Sequence, residues 1–225
     1  MIVAEQKPVA EILRMIEGYR KILVVGCGTC VTVCMAGGEK EAGILASLIR
    51  MAWAREGRLG PLIDVSETTV ERQCEWEFLQ EISEKVAASD AVLSMGCGAG
   101  VQAMARMFEG KVILPALNTK FIGMPERQGL WTELCAGCGD CVLDRTGGIC
   151  PIARCSKSLL NGPCGGSQNG KCEVSKDIDC AWQLIFDRMK SLGRLEALGA
   201  MLPPKDWSKN RDGGPRKVVR EDMLL

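Results

Sequence analysis

Apolar positions Val9, Ile12, Leu13 and Ile16 recur at helical spacing and predict an amphipathic helix over residues 6–18. Lys21-Ile22-Leu23-Val24-Val25-Gly26 is a short apolar run ending in glycine, the pattern of a buried parallel strand. Ile44, Leu45, Leu48, Ile49 and Trp53 predict a helix over 39–56. Pro61-Leu62-Ile63-Asp64-Val65 predicts a second strand, and Trp76, Leu79, Ile82 and Val86 a helix over 72–88. A third strand follows at Asp90–Gly96, a helix marked by Val101, Met104, Ala105 and Phe108, and a fourth strand at Lys111–Leu114, closed by Pro115. Strand and helix alternate four times. That alternation predicts an α/β domain, an open parallel sheet with flanking helices, over residues 1–125. Sites in such sheets form beyond the carboxyl ends of the strands.

After residue 130 the texture changes. Large apolar residues become sparse, and glycines and cysteines crowd together. Such a segment lacks the means for a core of its own and needs something bound at its cysteines. Residues 126–200 therefore predict a smaller cysteine-rich, metal-stabilised domain. It closes with a C-terminal helix through Trp182, Ile185, Phe186, Met189, Leu192 and Leu195. Residues 201–225 are Pro-rich, charged and aperiodic, and predict an extended tail, disordered or lying on a partner.

Composition narrows the chemistry. Lys plus Arg is 28 and Asp plus Glu is 28, so the chain lacks the basic excess of a nucleic-acid binder. Histidine is absent, which excludes Ser-His-Asp and Cys-His machinery and any His-ligated metal. The longest uncharged run, Ile22–Gly38, is broken by glycines and too short to predict membrane insertion. Glu5 stands where an export signal would begin its apolar core, so the expectation is a cytoplasmic protein. The G-x-G-x-x-G dinucleotide fingerprint is missing. The outlier is cysteine, 13 of 225 residues. Disulfide frameworks belong to small secreted domains, which leaves zinc, iron–sulfur clusters and thiol redox chemistry.

The cysteines fall into two groups. In the first, Cys27-x2-Cys30-x3-Cys34 follows the first predicted strand, Cys97 follows the third, and Cys74 opens the helix after the second. A parallel sheet brings all of these to one edge, where helix N-termini add positive potential suited to a thiolate-bound cluster. Three close thiolates and one distant one suit a [4Fe–4S] cluster. Cys97, in Gly96-Cys97-Gly98, mirrors Cys27 in Gly26-Cys27-Gly28 and is the expected fourth ligand, with Cys74 in reserve. Four-cysteine zinc fits the same residues, and Cys27-x2-Cys30 alone fits a thiol–disulfide pair.

In the second group, Cys135-x2-Cys138-x2-Cys141 has ferredoxin spacing, and Cys150-Pro151 resembles the end of that run. Eight residues separate Cys141 from Cys150, where the bacterial run has three. Cys155, Cys164, Cys172 and Cys180 complete eight thiols, enough for two clusters or for one cluster and one structural zinc. Met95, Met104 and Met107 read as core filler, Trp131 as packing for the cysteine loops, and Asp140 and Asp144 as turn caps.

These residues resemble the small iron–sulfur (MetV-type) subunit of methylenetetrahydrofolate reductases of acetogenic bacteria. The resemblance rests on Ile22–Cys30, Gly96–Gln102, Cys138–Asp144, Thr146–Pro151, Leu160–Gly166 and Asp179–Trp182. It implies two or three [4Fe–4S] clusters on the named cysteines, and a partner catalytic subunit that carries flavin and folate. It also implies an electron-donor protein and a place in the reductive acetyl-CoA pathway. Hydride chemistry belongs to a flavin, and this chain has no flavin fingerprint. The expected function is therefore to pass electrons to the partner's flavin for reduction of methylenetetrahydrofolate to methyltetrahydrofolate. Two rivals stand beside it: a zinc-stabilised adaptor, and a thiol–disulfide oxidoreductase using Cys27 and Cys30.

Overall fold

The structure is a computed structural model that describes residues 1–58, 60 and 63–223. The chain divides into two compact units, Met1–Phe121 with Pro125–Trp131, and Ile122–Met124 with Thr132–Leu225.

The first unit opens with strand β1 (Ile2–Gln6) and helix α1 (Val9–Met15). Strand β2 (Lys21–Cys27) leads through the short α2 (Cys30–Val33) to α3 (Glu39–Arg55). Then come β3 (Asp64–Val70), α4 (Trp76–Gln80), α5 (Ser83–Ala88), β4 (Ala91–Ser94), α6 (Gly98–Met107) and β5 (Val112–Pro115). The four strands β2 to β5 form one parallel sheet in the order β3-β2-β4-β5, with Val25 level with Thr68 on one side and Ser94 on the other. The α/β architecture with a parallel sheet is thus present as the periodicity predicts.

Alternation along β2 explains why the sheet is covered on both faces. Ile22 and Val24 join Ala42, Leu45, Ala46, Ile49 and Trp53 of α3 and Ile12 of α1 in one core. Leu23 and Val25 join Leu79, Ile82, Val86 and Met104 of α4, α5 and α6 in the other. Ile22, Leu23, Val24 and Val25 are all at most 1% exposed. Each such side chain contributes about 1.5–3 kcal/mol when withdrawn from water. Met95 and Met104 are fully buried, as core filler should be.

Three sequence expectations change. The helix over 72–88 is two pieces, because Ile82 N–H bonds Leu79 O in a tight turn before Val86 N–H bonds back to Ile82 O. Leu79, Ile82 and Val86 stay buried, but Trp76 is 52% exposed. The strand expected at 61–65 starts later, at Asp64. Pro61 and Leu62 lie outside the described residues. As an edge strand, β3 carries Glu67 outward and needs few apolar residues. Finally, a second sheet in the order β1-β6-β7, with β6 (Leu117–Arg127) and β7 (Leu130–Cys135), has no counterpart in the sequence reading. Trp131 packs on the core of the first unit rather than serving only the cysteine loops.

The second unit holds α7 (Pro151–Arg154), α8 (Ala181–Ser191) and several single turns of 3-10 helix. Its core is small: Cys180, Trp182, Ile185 and Met189, flanked by Ile149, Cys155, Leu159 and Leu195. The closing helix ends at Ser191, and Leu195 falls in a following 3-10 turn at Leu195–Gly199. Among the described residues, no helix is long and apolar enough to cross a membrane.

Candidate functional site

The sheet order places a topological switch at the carboxyl ends of β2 and β4. The connection from β2 goes to β3 on one side, and the next returns to β4 on the other. Crevices at such points are where open parallel sheets place their sites. Cys27 is the last residue of β2, and Cys97 is the N-cap residue of α6 just beyond β4.

Gln73 joins these ends to the segment between β3 and α4. It is fully buried, and its Nε2 donates to Val25 O at 2.8 Å and Gly26 O at 3.1 Å. Ser94 Oγ donates to Gln73 Oε1 at 2.6 Å, and Gly96 N–H donates to Ser94 Oγ at 3.2 Å. Gly96 and Gly100 leave the room this requires. A Cβ on Gly96 would stand 2.3 Å from Gln73 Oε1, and one on Gly100 2.8 Å from Gln73 Cβ. The sequence reading missed Gln73, since a single polar residue beside a cysteine carries no pattern.

The five cysteines of this unit are not equivalent. Cys74, next to Gln73, is exposed. Partial desolvation of its sulfur, then the nearby Cys97 and Cys27 thiols, push its pKa up. Cys27 Sγ lies 3.7 Å from Thr29 Oγ1 and 4.0 Å from Glu71 O, in the segment that leads to Cys74. Cys30 is the first residue of α2 and half-buried. Cys34 is buried, with its Sγ 3.6 Å from both Ala4 O and Val31 O. Burial is the main reason its thiol is pushed up.

In the second unit, Cys155, Cys164, Cys172 and Cys180 line one small pocket with Leu159, Trp182, Arg154 and Lys157. Cys180 is the N-cap residue of α8, and Trp182 Nε1 donates to Leu159 O at 3.0 Å, closing the apolar wall. The Ser156 hydroxyl lies 3.4 Å from Cys172 Sγ, and its hydrogen bond holds that thiol below its ordinary pKa.

Cys135 ends β7, and Cys138 and Cys141 lie in the loop after it. Gly137 N–H points at Cys135 Sγ at 3.4 Å. The eight residues between Cys141 and Cys150 do not act as a long spacer. Gly148 N–H bonds Leu143 O at 2.9 Å, and Thr146 is 1% exposed, so the insertion folds into a closed turn. Cys150 is the N-cap of α7, and its Sγ accepts from Ala153 N at 3.4 Å.

The tail lies on this loop. Lys205, with a side chain only 2% exposed, donates to Asp140 O and stands 3.7 Å from its carboxylate. Arg216 donates to Gly137 O at 2.5 Å. Gly139, at φ +82°, would place a Cβ 2.2 Å from Lys209 O, so only glycine admits so close a crossing. Asn161 makes two 2.8 Å hydrogen bonds with the Leu202 backbone. Through residue 216 the tail thus lies as a strap on the chain's own cysteine loop. Asp140, read as a turn cap, is its ionic anchor.

None of the thirteen cysteines, all among the described residues, is joined in a disulfide. Among the described residues, no group of three or more Cys, Asp or Glu side chains is drawn together to metal-holding spacing. What the fold sets is neighbourhood, and the donor chemistry fits soft metals. Sulfur is the donor type in both units, with backbone N–H groups aimed at Cys135 Sγ and Cys150 Sγ.

Residues 114–208 match the family described as Methylene-tetrahydrofolate reductase C terminal. The matched stretch runs from β5 to the strap and contains all eight cysteines of the second group, so over these residues the chain is similar to that family. No curated protein and no solved structure matches the chain.

Proposed function

We propose that this chain is the iron–sulfur electron-transfer subunit of a methylenetetrahydrofolate reductase complex, feeding the flavin of a partner catalytic subunit. The observation that carries the reading is the pocket lined by Cys155, Cys164, Cys172 and Cys180, inside the stretch that matches the reductase family. Those four thiolates would hold one centre. Cys135, Cys138, Cys141 and Cys150 would hold another, the folded turn at 142–149 making up for the longer spacing. Cysteines of the first unit would hold a third.

A [4Fe–4S] cluster accepts and releases one electron at a time. The chain's own residues supply the setting. Trp182 and Leu159 keep water from the pocket wall, and the Ser156 hydroxyl is within hydrogen-bond reach of Cys172 Sγ. Lys205, Lys209 and Arg216 bring positive charge to the Cys138–Asp140 loop, which favours added electrons there. With no histidine and no flavin fingerprint, the hydride step falls to the partner's flavin. For each hydride that flavin transferred, this chain would supply two electrons, one at a time.

The test is metal and sulfide analysis of the chain purified without oxygen, with an EPR spectrum after reduction. About eight or more irons per chain with matching sulfide and a reduced-cluster signal are expected. Zinc alone, colourless and EPR-silent, would overturn electron transfer and leave a zinc-stabilised adaptor.

A further inference from the structure

Resting on that reading, we infer that Cys27, Cys30, Cys74 and Cys97 form the ligand set of the first unit's centre, and that Cys34 is a core thiol outside it. Spacing along the chain favours the triplet Cys27, Cys30 and Cys34. The fold argues for a different grouping, drawn from three separate segments.

Adjacent strands lie roughly 4.8 Å apart. Because Val25 is level with Ser94, Cys27 at the end of β2 and Cys97 just past β4 emerge side by side. The segment bearing Cys74 is held to the same two strand ends. Gln73 reaches Val25 O and Gly26 O on β2 and Ser94 Oγ on β4, and Gly28 N–H bonds Val70 O at 2.9 Å. A residue adjacent to Gln73 has little freedom to leave that crevice. Cys74 is also exposed, so its sulfur can turn toward a metal at no cost in core packing.

Cys34 is placed the opposite way. Its sulfur points at Ala4 O of β1 and at Val31 O, among residues of the larger core. The chain around it is also committed. Ala36 N–H and Gly37 N–H both bond Val31 O, and Cys27 N–H bonds Gly37 O at 2.9 Å. To serve as a ligand, Cys34 would have to leave this core and reverse that turn. Cys30 is the remaining cysteine of the unit, three residues beyond Cys27 and at the first position of α2. The ten-residue α6, with Cys97 as its N-cap, adds positive potential toward the four thiolates.

The experiment compares the full chain with Cys74→Ser, Cys97→Ser, Cys34→Ala and Cys34→Val, all purified without oxygen. Iron, sulfide and the EPR spectrum are read on each. Cys74→Ser and Cys97→Ser should each lose about four irons and one reduced-cluster signal. Cys34→Ala and the volume-conserving Cys34→Val should keep the wild-type content. Loss of iron in both Cys34 variants, with circular dichroism showing them folded, would overturn the assignment. So would an unchanged Cys74→Ser. A wild-type chain without iron or sulfide would overturn the electron-transfer reading itself, and is distinguished because it shows before any variant is compared.

Discussion

Gln73 concentrates more of the site's geometry than any cysteine does. Its amide satisfies two carbonyls of β2 and takes the Ser94 hydroxyl, all without solvent. Gln73→Ala would strand those groups and leave a cavity, costing about 3 kcal/mol in urea unfolding. Gly96→Ala should cost about 1–3 kcal/mol by the same measurement, because the added methyl meets an amide that is already pinned. Asp90 does a smaller service at the opposite end of the sheet. Its carboxylate accepts from Lys21 N–H and Arg20 N–H, each at 2.9 Å, and these bonds lower its pKa. A lowered folded pKa means the contribution is present above the ordinary aspartate value and is lost as pH falls through the folded value. Asp90→Asn should therefore be less stable than wild type at pH 7, and the gap should close as pH falls below about 4, the ordinary aspartate value. Thermal melts across pH would show it. None of these roles was legible in the sequence, because each depends on which distant carbonyl or amide a polar side chain meets.

Strands and helices were legible where burial was two-sided. The runs at β2 and β4 are apolar on both faces because helices cover both, and they read plainly. Where burial is one-sided the pattern thins, as in β3, whose Asp64 and Glu67 face outward at a sheet edge. The β6–β7 hairpin left a usable signal, Gly129 at φ +84° in the turn after Arg127, but its strands carry too many charges for alternation to stand out. The strap was illegible for a different reason. Its residues are polar and aperiodic, and what orders them is a set of specific bonds to Asn161, Gly137 and Asp140. Lys205→Met keeps the buried stem and removes the charge. Amide exchange at Gly137–Asp140 should then quicken about tenfold or more, since breaking such a pair costs upward of 1.4 kcal/mol. Unchanged exchange would mean that the strap does not hold the loop.

The two units differ in what can hold them together. Among the described residues, the first has two apolar cores on either side of its sheet, and the second only the small cluster around Ile185 and Met189. Removing metal with a chelator should therefore raise amide exchange widely over Thr132–Leu202 and little over β2 and β4. Hydrogen-exchange mass spectrometry would resolve the two. Equal protection before and after would show that the second unit needs no metal for its fold. The cysteine inventory was legible, as was its division into two groups. The meeting of Cys27, Cys74 and Cys97 at one sheet edge was legible as well; the pinning of the Cys74 segment there by Gln73 was not, because it depends on which carbonyls one buried amide meets.

The strap also sets an order of events during synthesis. Residues 135–141 leave the ribosome some seventy residues before Lys205 and Arg216 do. Over that interval the triplet loop has nothing across it, and a cofactor donor could approach its three sulfurs from the side that Lys209 later crosses. Once the strap is down, the same delivery would have to lift it. On the proposed reading, the loading of this loop would have a natural window that closes once the strap has been translated.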